Sequence, residues 1–263
     1  MRGLAKDTMR SLLAGAPAGR LEVLDRRRSG VDGFVKYLFR SRGDTFETVR
    51  IPLLLPRWSV CVSTQAGCAL ACAFCETGRI GFTRNLEAWE IVEQVLTVRR
   101  EAPGRPVTSV VFQGQGEPLQ NYDNVIRAAQ ILQHPCGGRV RGQNITLSTV
   151  GILPMIERYT AEGHVFRLIL SLTSAFDAKR ARLLPAGRRH AVSDLAAAMR
   201  RHASARGDRV NLAWVLMSGI NTGEDEAEEL SRLFRGVPVR LSIIDVNDPT
   251  GRFRRAGEAE RSA

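Results

Sequence analysis

From Ser59 onward short apolar runs alternate with amphipathic stretches, and this alternation constrains the fold more than any other feature of the chain. The runs Val60 to Ser63, Ser109 to Phe112, Asn144 to Ser148, Phe166 to Ser171, Val210 to Leu216 and Val239 to Ile244 are short, rich in β-branched residues and bounded by turn residues, so they read as strands. Between them Leu86 to Arg100, Asp123 to Gln133, Leu153 to Glu162, Val192 to Ala205 and Glu224 to Phe234 carry the helical period. In the first helix Trp89, Val92, Val95 and Leu96 share one face, with Asn85 as the expected N-cap and Glu87 and Glu90 at the positive end of the dipole. Strands separated by helices pair in parallel through right-handed crossovers. The expected fold class is α/β, a partial (βα)6 TIM-like barrel, with function gathered at the carboxyl ends of its strands.

Ahead of it, Leu21 to Asp25, Phe34 to Phe39 and Phe46 to Leu54 alternate with period two and are separated by Gly- and Asp-containing turns. They predict a small antiparallel β meander. The expected organisation is an N-terminal extension and meander over 1–56, the barrel over 57–250 and a charged C-terminal tail over 251–263. Residues 1–20 predict at most a short helix.

Directly after the first barrel strand come Cys68, Cys72 and Cys75, in the pattern Cys-x-x-x-Cys-x-x-Cys. Three thiolates from one loop can hold a [4Fe-4S] cluster and leave its fourth iron open to a small chelating ligand. The pattern resembles the cluster loop of the radical S-adenosylmethionine (SAM) enzymes, and Phe74 fits the aromatic often found there. The competing reading is a structural zinc site that takes Cys61 as its fourth thiolate.

Composition narrows the partners. With 38 Lys and Arg against 27 Asp and Glu, the net charge of +11 favours polyanions, nucleic acid first. Only Lys6, Lys36 and Lys179 are lysines, so the excess is arginine, which suits bidentate phosphate contact; an arginine-rich but merely solvated surface is the alternative. The sequence contains no apolar run of membrane-spanning length and no apolar signal core, which points to the cytoplasm. Four of the five cysteines lie within fifteen residues, as in a cofactor site rather than a disulfide framework, and Cys136 reads as a bystander.

After the second barrel strand, Gln113-Gly-Gln-Gly-Glu-Pro118 lets the backbone approach a ligand closely, and Glu117 offers an acceptor for an ammonium group. It resembles the Gly-Glu-Pro motif with which many radical SAM enzymes hold the amino group of SAM. Ser148 at the third strand end and Ser171 and Thr173 at the fourth are candidates for the SAM carboxylate and ribose, against simple strand-end capping. Asn247, after the sixth strand, offers an amide to an adenine edge.

Over residues 21 to 250 the chain resembles the radical SAM adenine methyltransferases of ribosomal and transfer RNA, the RlmN/Cfr type. The matching pieces are Glu47 to Pro52, Cys61 to Cys68, Gly78 to Asn85, Gly114 to Leu119, Leu147 to Gly151 and Leu184-Pro185. The resemblance implies Glu47 as acid/base carboxylate, Cys61 as the cysteine that helps resolve an enzyme–RNA crosslink, and Cys68, Cys72 and Cys75 as cluster ligands. It implies SAM contacts at Gly116, Glu117, Ser148, Ser171, Thr173 and Asn247. Also implied are a [4Fe-4S] cluster and SAM as cofactors, methylation at carbon 2 or carbon 8 of adenine, ribosomal RNA or tRNA as partner, a flavodoxin- or ferredoxin-type electron donor, no membrane, and a monomer. A ring carbon of this kind is not nucleophilic, so the cofactor must supply the hard step.

The sequence departs from the family in three places. The helical N-terminal RNA-binding domain has no counterpart, Thr173 stands where histidine is usual, and Gln113 and Gln115 stand where methionine is common. In addition, no cysteine follows Cys136, where the family carries a methyl-bearing cysteine. The expectation for the chain as given is therefore SAM cleavage without methyl transfer. The alternatives are a radical SAM enzyme with another substrate and a non-catalytic RNA-binding remnant.

Overall fold

The computed structural model describes residues 21 to 262, so the short helix expected within residues 1–20 lies outside the described residues. Nine strands form one sheet. The first three, β1 (Glu22–Arg28), β2 (Val35–Ser41) and β3 (Asp44–Pro52), are antiparallel, and β3 pairs antiparallel with β4 (Trp58–Val62). From β4 the sheet continues in parallel through β7 (Val107–Phe112), β8 (Ile145–Thr149), β9 (Arg167–Ser171), β10 (Val210–Leu216) and β11 (Val239–Asp245). These are the six barrel strands expected, each within two residues of its expected bounds at either end. The meander is not a separate layer, because the β3–β4 ladder makes it a direct extension of the barrel sheet.

The crossovers are α2 (Ala88–Glu101), α3 (Tyr122–Gln133), α4 (Leu153–Ala161), α6 (Val192–Arg206) and α7 (Glu224–Leu233). They cover one face of the sheet. Val60, Val62, Val110, Phe112, Leu147, Leu168, Leu170 and Leu212 are buried with Ile91, Val95, Val125, Ile156, Leu195 and Met199 in one apolar core. Period two sends alternate residues of β4 to the other face, where Cys61 pairs with Val49 of β3. Glu47, two residues from Val49, shares that face with Cys61.

The start of α2 corrects the expected cap. Its N-cap is Glu87, which forms a capping box with Glu90, while the Asn85 side chain accepts a hydrogen bond from Gln65 at 2.8 Å. Glu90 is buried rather than a surface complement to the dipole, and Arg84 neutralises it at 2.8 Å.

Several elements have no counterpart in the sequence reading. A two-stranded sheet of β5 (Gln65–Gly67) and β6 (Phe82–Asn85), with α1 (Glu76–Ile80) between them, brackets the cysteine loop. The short α5 (Asp177–Leu183) follows β9, and α8 (Glu258–Ser262) ends the described chain. The segment expected as a charged tail buries Phe253 and Ala256 against the body of the fold. No helix among the described residues is long and apolar enough to cross a membrane.

Candidate functional site

A cavity of about 190 Å³ opens at the carboxyl ends of the parallel strands, and Cys68, Cys72 and Cys75 line it together with Gly116, Glu117, Ser148, Ser171 and Thr173. Sequence positions more than a hundred residues apart thus meet in one place. Among the described residues no group of three His, Cys, Asp or Glu converges tightly enough to grip a single metal ion. The three thiols instead share the wall of a cavity, all half-buried and none in a disulfide.

The loop that carries them is held at several points. Cys68 N–H donates to Gly81 of the bracketing hairpin at 2.8 Å, and Cys75 N–H closes a turn on Cys72 at 3.0 Å. Ala73 N–H donates to Leu183 at the end of α5 at 2.9 Å. From the other side Phe74 meets Phe253 edge-on at 6.5 Å, and Arg79 pairs with Asp248 at 2.9 Å. The segment after β11 is thereby fastened over the cysteine loop. Burial pushes the Cys68 thiol up and the Cys72 thiol up to about 12, with the neighbouring thiols adding to both shifts. A bound cation reverses that balance, since metal coordination deprotonates a thiol.

Glu117 forms the cavity's acidic wall. It is 2% exposed, its Oε1 accepts from Leu119 N–H at 2.9 Å and its Oε2 from Val150 N–H at 3.0 Å. Burial nevertheless raises its carboxyl to about 6. Gly116 before it has φ +94°, and an added Cβ would lie 2.9 Å from the Gln65 backbone nitrogen, so only glycine fits. Across the cavity the hydroxyls of Ser148 and Ser171 stand 3.1 Å apart.

Thr173 is the most unusual wall residue. It is buried at 1%, its φ of +64° is a left-handed conformation costly for a β-branched residue, and its Oγ1 has no partner in the protein. Gln115 Oε1 is likewise buried without a partner. The cavity therefore presents an unspent hydroxyl, an unspent amide oxygen, a carboxylate and three thiols, a set that fits an iron–sulfur cluster with a polar, zwitterionic ligand.

Three expected site residues stand outside this wall. Asn247 is exposed on the segment after β11. Cys61 is half-buried on β4 with its sulfur facing Gly114 of the cavity loop, and burial pushes its thiol up to about 11. Glu47 is paired with Lys36 at 3.3 Å in a small charged depression with Asp25, Arg27 and Leu38. Ser63 links this face to the cavity: its hydroxyl donates to the Glu47 carbonyl and accepts Gln115 N–H at 2.7 Å. Cys136 is exposed in the connection between α3 and β8, away from the cavity lining. Sequence reasoning missed Ser63, Gln115 as a wall residue and the buried Arg180 behind the wall; only the Ser63 position, two residues beyond Cys61 on the same strand face, was readable from period two.

Comparison with known proteins agrees with this geometry. The family model of the radical SAM superfamily matches residues 62–234. A probable RNA methyltransferase of Myxococcus xanthus is 49% identical over 253 residues, which cover 96% of this chain and 70% of that protein. A dual-specificity RNA methyltransferase RlmN of Syntrophobacter fumaroxidans is 40% identical over 93% of this chain and 71% of its own length. The crystal structure of a radical SAM methyltransferase from Sphaerobacter thermophilus superimposes with a TM-score of 0.90 at 38% identity, covering 98% of this chain and 77% of that one. The chain belongs to the radical SAM superfamily and, within it, to the RlmN-type family of RNA methyltransferases.

Proposed function

We propose that the chain cleaves SAM reductively at a [4Fe-4S] cluster held by Cys68, Cys72 and Cys75, and directs that chemistry at carbon 2 or carbon 8 of an adenine in ribosomal or transfer RNA. The observation that carries this reading is the single cavity in which the three thiols meet Glu117, Ser148, Ser171 and Thr173. When bound, the cluster and SAM supply hydrogen-atom abstraction, which activates carbon that polar chemistry leaves inert.

The chain's own residues do the positioning. Glu117 offers its remaining lone pairs to the SAM ammonium, while Ser148, Ser171 and the unspent Thr173 hydroxyl take its carboxylate and ribose. Gly116 lets the loop pack closely on Gln65, which holds Glu117 at the cavity wall. Asn247, exposed on the segment fastened over the cysteine loop, would offer its amide to the SAM adenine. On the adjoining face Glu47 acts as acid/base, held by the Lys36 ammonium, and Cys61 stands beside the loop as a neutral thiol. Exposed Arg182 in the last turn of α5 and exposed Arg188 and Arg189 beyond it flank Leu184 of the cavity wall in sequence, and they supply the positive charge that an RNA substrate requires.

Anaerobic reconstitution with iron and sulfide, followed by incubation with SAM, a reduced flavodoxin and unmodified large-subunit RNA, tests the reading. The expected product is 5'-deoxyadenosine, formed faster with RNA present. Stoichiometric zinc without iron, or a yield indifferent to RNA, would overturn the cluster and the substrate assignments respectively.

A further inference from the structure

Arg180 is the largest fully buried side chain among the described residues, at 1% exposure, and its guanidinium donates to a backbone carbonyl rather than to a carboxylate. Its Nη2 donates to the Val150 carbonyl, and its Nε has no partner at all. The nearest acid in sequence, Asp177, is occupied as the acceptor for Val192 N–H at 2.7 Å. A guanidinium cannot shed its charge to escape burial. It needs anions nearby, and the one carboxylate whose charge is felt there, Asp177, makes no hydrogen bond to the Nε.

The direction in which an anion would lie is set by α5. The carbonyl of Leu183, three residues after Arg180, accepts the Ala73 N–H of the cysteine loop, and Cys72 and Ala73 pack against the apolar cluster that includes Leu183 and Leu184. Gly187 leaves room for the guanidinium, since a Cβ there would lie 2.9 Å from Nη1. Burial, the largest effect, lowers Arg180 to about 10, and against it act the negative charges of Asp177 first and of Cys72 second.

We infer that Arg180 is a positioning residue whose buried positive charge balances the thiolates of the cysteine loop and raises the reduction potential of the cluster they hold. The inference rests on the cluster reading above. A fixed cation beside a redox centre favours the more negative, reduced state, so it makes the electron needed for SAM cleavage easier to deliver. The same arrangement leaves the cluster-free chain with a buried charge that only Asp177 offsets, without a hydrogen bond to the Nε. Val150 joins this cation to the SAM pocket, because its carbonyl faces Arg180 while its N–H faces Glu117.

The test compares the full chain with Arg180→Met and Arg180→Lys, first without cluster and then after anaerobic reconstitution. Without cluster, Arg180→Met is expected to melt at or above the wild-type temperature, because an apolar side chain replaces an unpaired charge. With cluster, a redox titration followed by electron paramagnetic resonance is expected to show at least a tenfold loss of reduced cluster at fixed potential, a shift of ~59 mV to more negative values. Arg180→Lys is expected to restore most of it. A potential unchanged in Arg180→Met, or a cluster-free melting temperature that falls in both variants, would make Arg180 a structural tie and overturn the inference. If the wild-type chain takes up no iron, the cluster reading itself fails and takes this proposal with it.

Discussion

Glu117 Oε2 accepts the backbone N–H of Val150 at 3.0 Å, which ties the acidic residue of the loop after β7 to the end of β8. This one bond holds two walls of the cavity at a fixed separation, and its acceptor is a carboxylate that burial has raised from 4.5 to about 6. Between those values the folded chain holds a proton that the unfolded chain has released, so folding stability falls as pH rises through the window. The full penalty, roughly 2 kcal/mol, stands above about pH 6. Urea unfolding of the cofactor-free chain at pH 5 and pH 7 should show the difference between wild type and Glu117→Gln changing by about 1 kcal/mol, the part of the penalty that develops above pH 5. A difference independent of pH would mean that the carboxylate is not desolvated.

Glu117→Ala acts on more than charge. It strands the buried N–H groups of Leu119 and Val150, each worth about 1–3 kcal/mol when left unmet. It also removes the charge-assisted bond proposed for the SAM ammonium, worth roughly 1.5–3 kcal/mol, or about one to two decades in affinity. Equilibrium binding of SAM to the reconstituted chain should therefore weaken in Glu117→Ala by at least tenfold. Unchanged affinity would leave Glu117 as a tie between loops and nothing more.

Cys61 and Cys136 should separate cleanly by alkylation. Only the thiolate reacts, and burial places Cys61 at about 11, whereas Cys136 is exposed. Iodoacetamide at pH 8, followed by peptide mass spectrometry of the reconstituted chain, should mark Cys136 well before Cys61, with Cys61 gaining rate toward pH 11. Equal rates at pH 8 would show that the β4 face is open and polar.

The barrel strands and their crossovers were legible because each carries a continuous apolar run or stripe, and period alone reports that; it does not report burial, since β11 leaves Val239, Leu241, Ile243 and Ile244 exposed. The hairpin of β5 and β6 was not legible: three- and four-residue strands carry no period, and what holds them is their place beside the cysteine loop. The cap at Glu87 was missed for a related reason, since the choice between Asn85 and Glu87 is settled by Gln65, a partner twenty residues from Asn85. Within the cavity lining, motif spacing pointed to Cys68, Cys72, Cys75, Gly116 and Glu117 and strand ends to Ser148, Ser171 and Thr173, whereas Asn247, Cys61 and Glu47 lie outside it. Neither signal reached Arg180, which is distinguished by burial with an unpartnered Nε, a property of packing that an Arg in a plain Lys-Arg-Ala-Arg run does not announce.

The segment after β11 makes a prediction about the loop it covers. Phe253 is 7% exposed and packs edge-on against Phe74, next to the last cysteine. Its truncation to Ala should cost about 3–5 kcal/mol of local packing and free the cysteine loop on one side. Iron bound by the reconstituted Phe253→Ala chain should be lost to a chelator at least several times faster than from wild type, while Cys136→Ala loses it at the wild-type rate and Cys72→Ala never takes it up. Equal loss rates in Phe253→Ala and wild type would show that the loop holds its shape without the cover.

Arg182, Arg188 and Arg189 test the substrate assignment through salt dependence rather than activity. All three are exposed on the stretch that supplies Leu184 to the cavity wall, and none belongs to the cavity lining itself. If RNA approaches the cavity there, each arginine that meets a phosphate releases a counterion, and the logarithm of the binding constant falls with the logarithm of salt by about 0.7 per contact on single-stranded RNA. Replacing all three with Gln should then lower the slope by about 2 and weaken RNA binding most at low salt, with cluster content and SAM affinity unchanged. The comparison is internally controlled, because a general loss of fold would lower SAM affinity as well. A slope equal to that of wild type would place the RNA elsewhere on this basic surface and leave the mouth of the cavity to a different substrate.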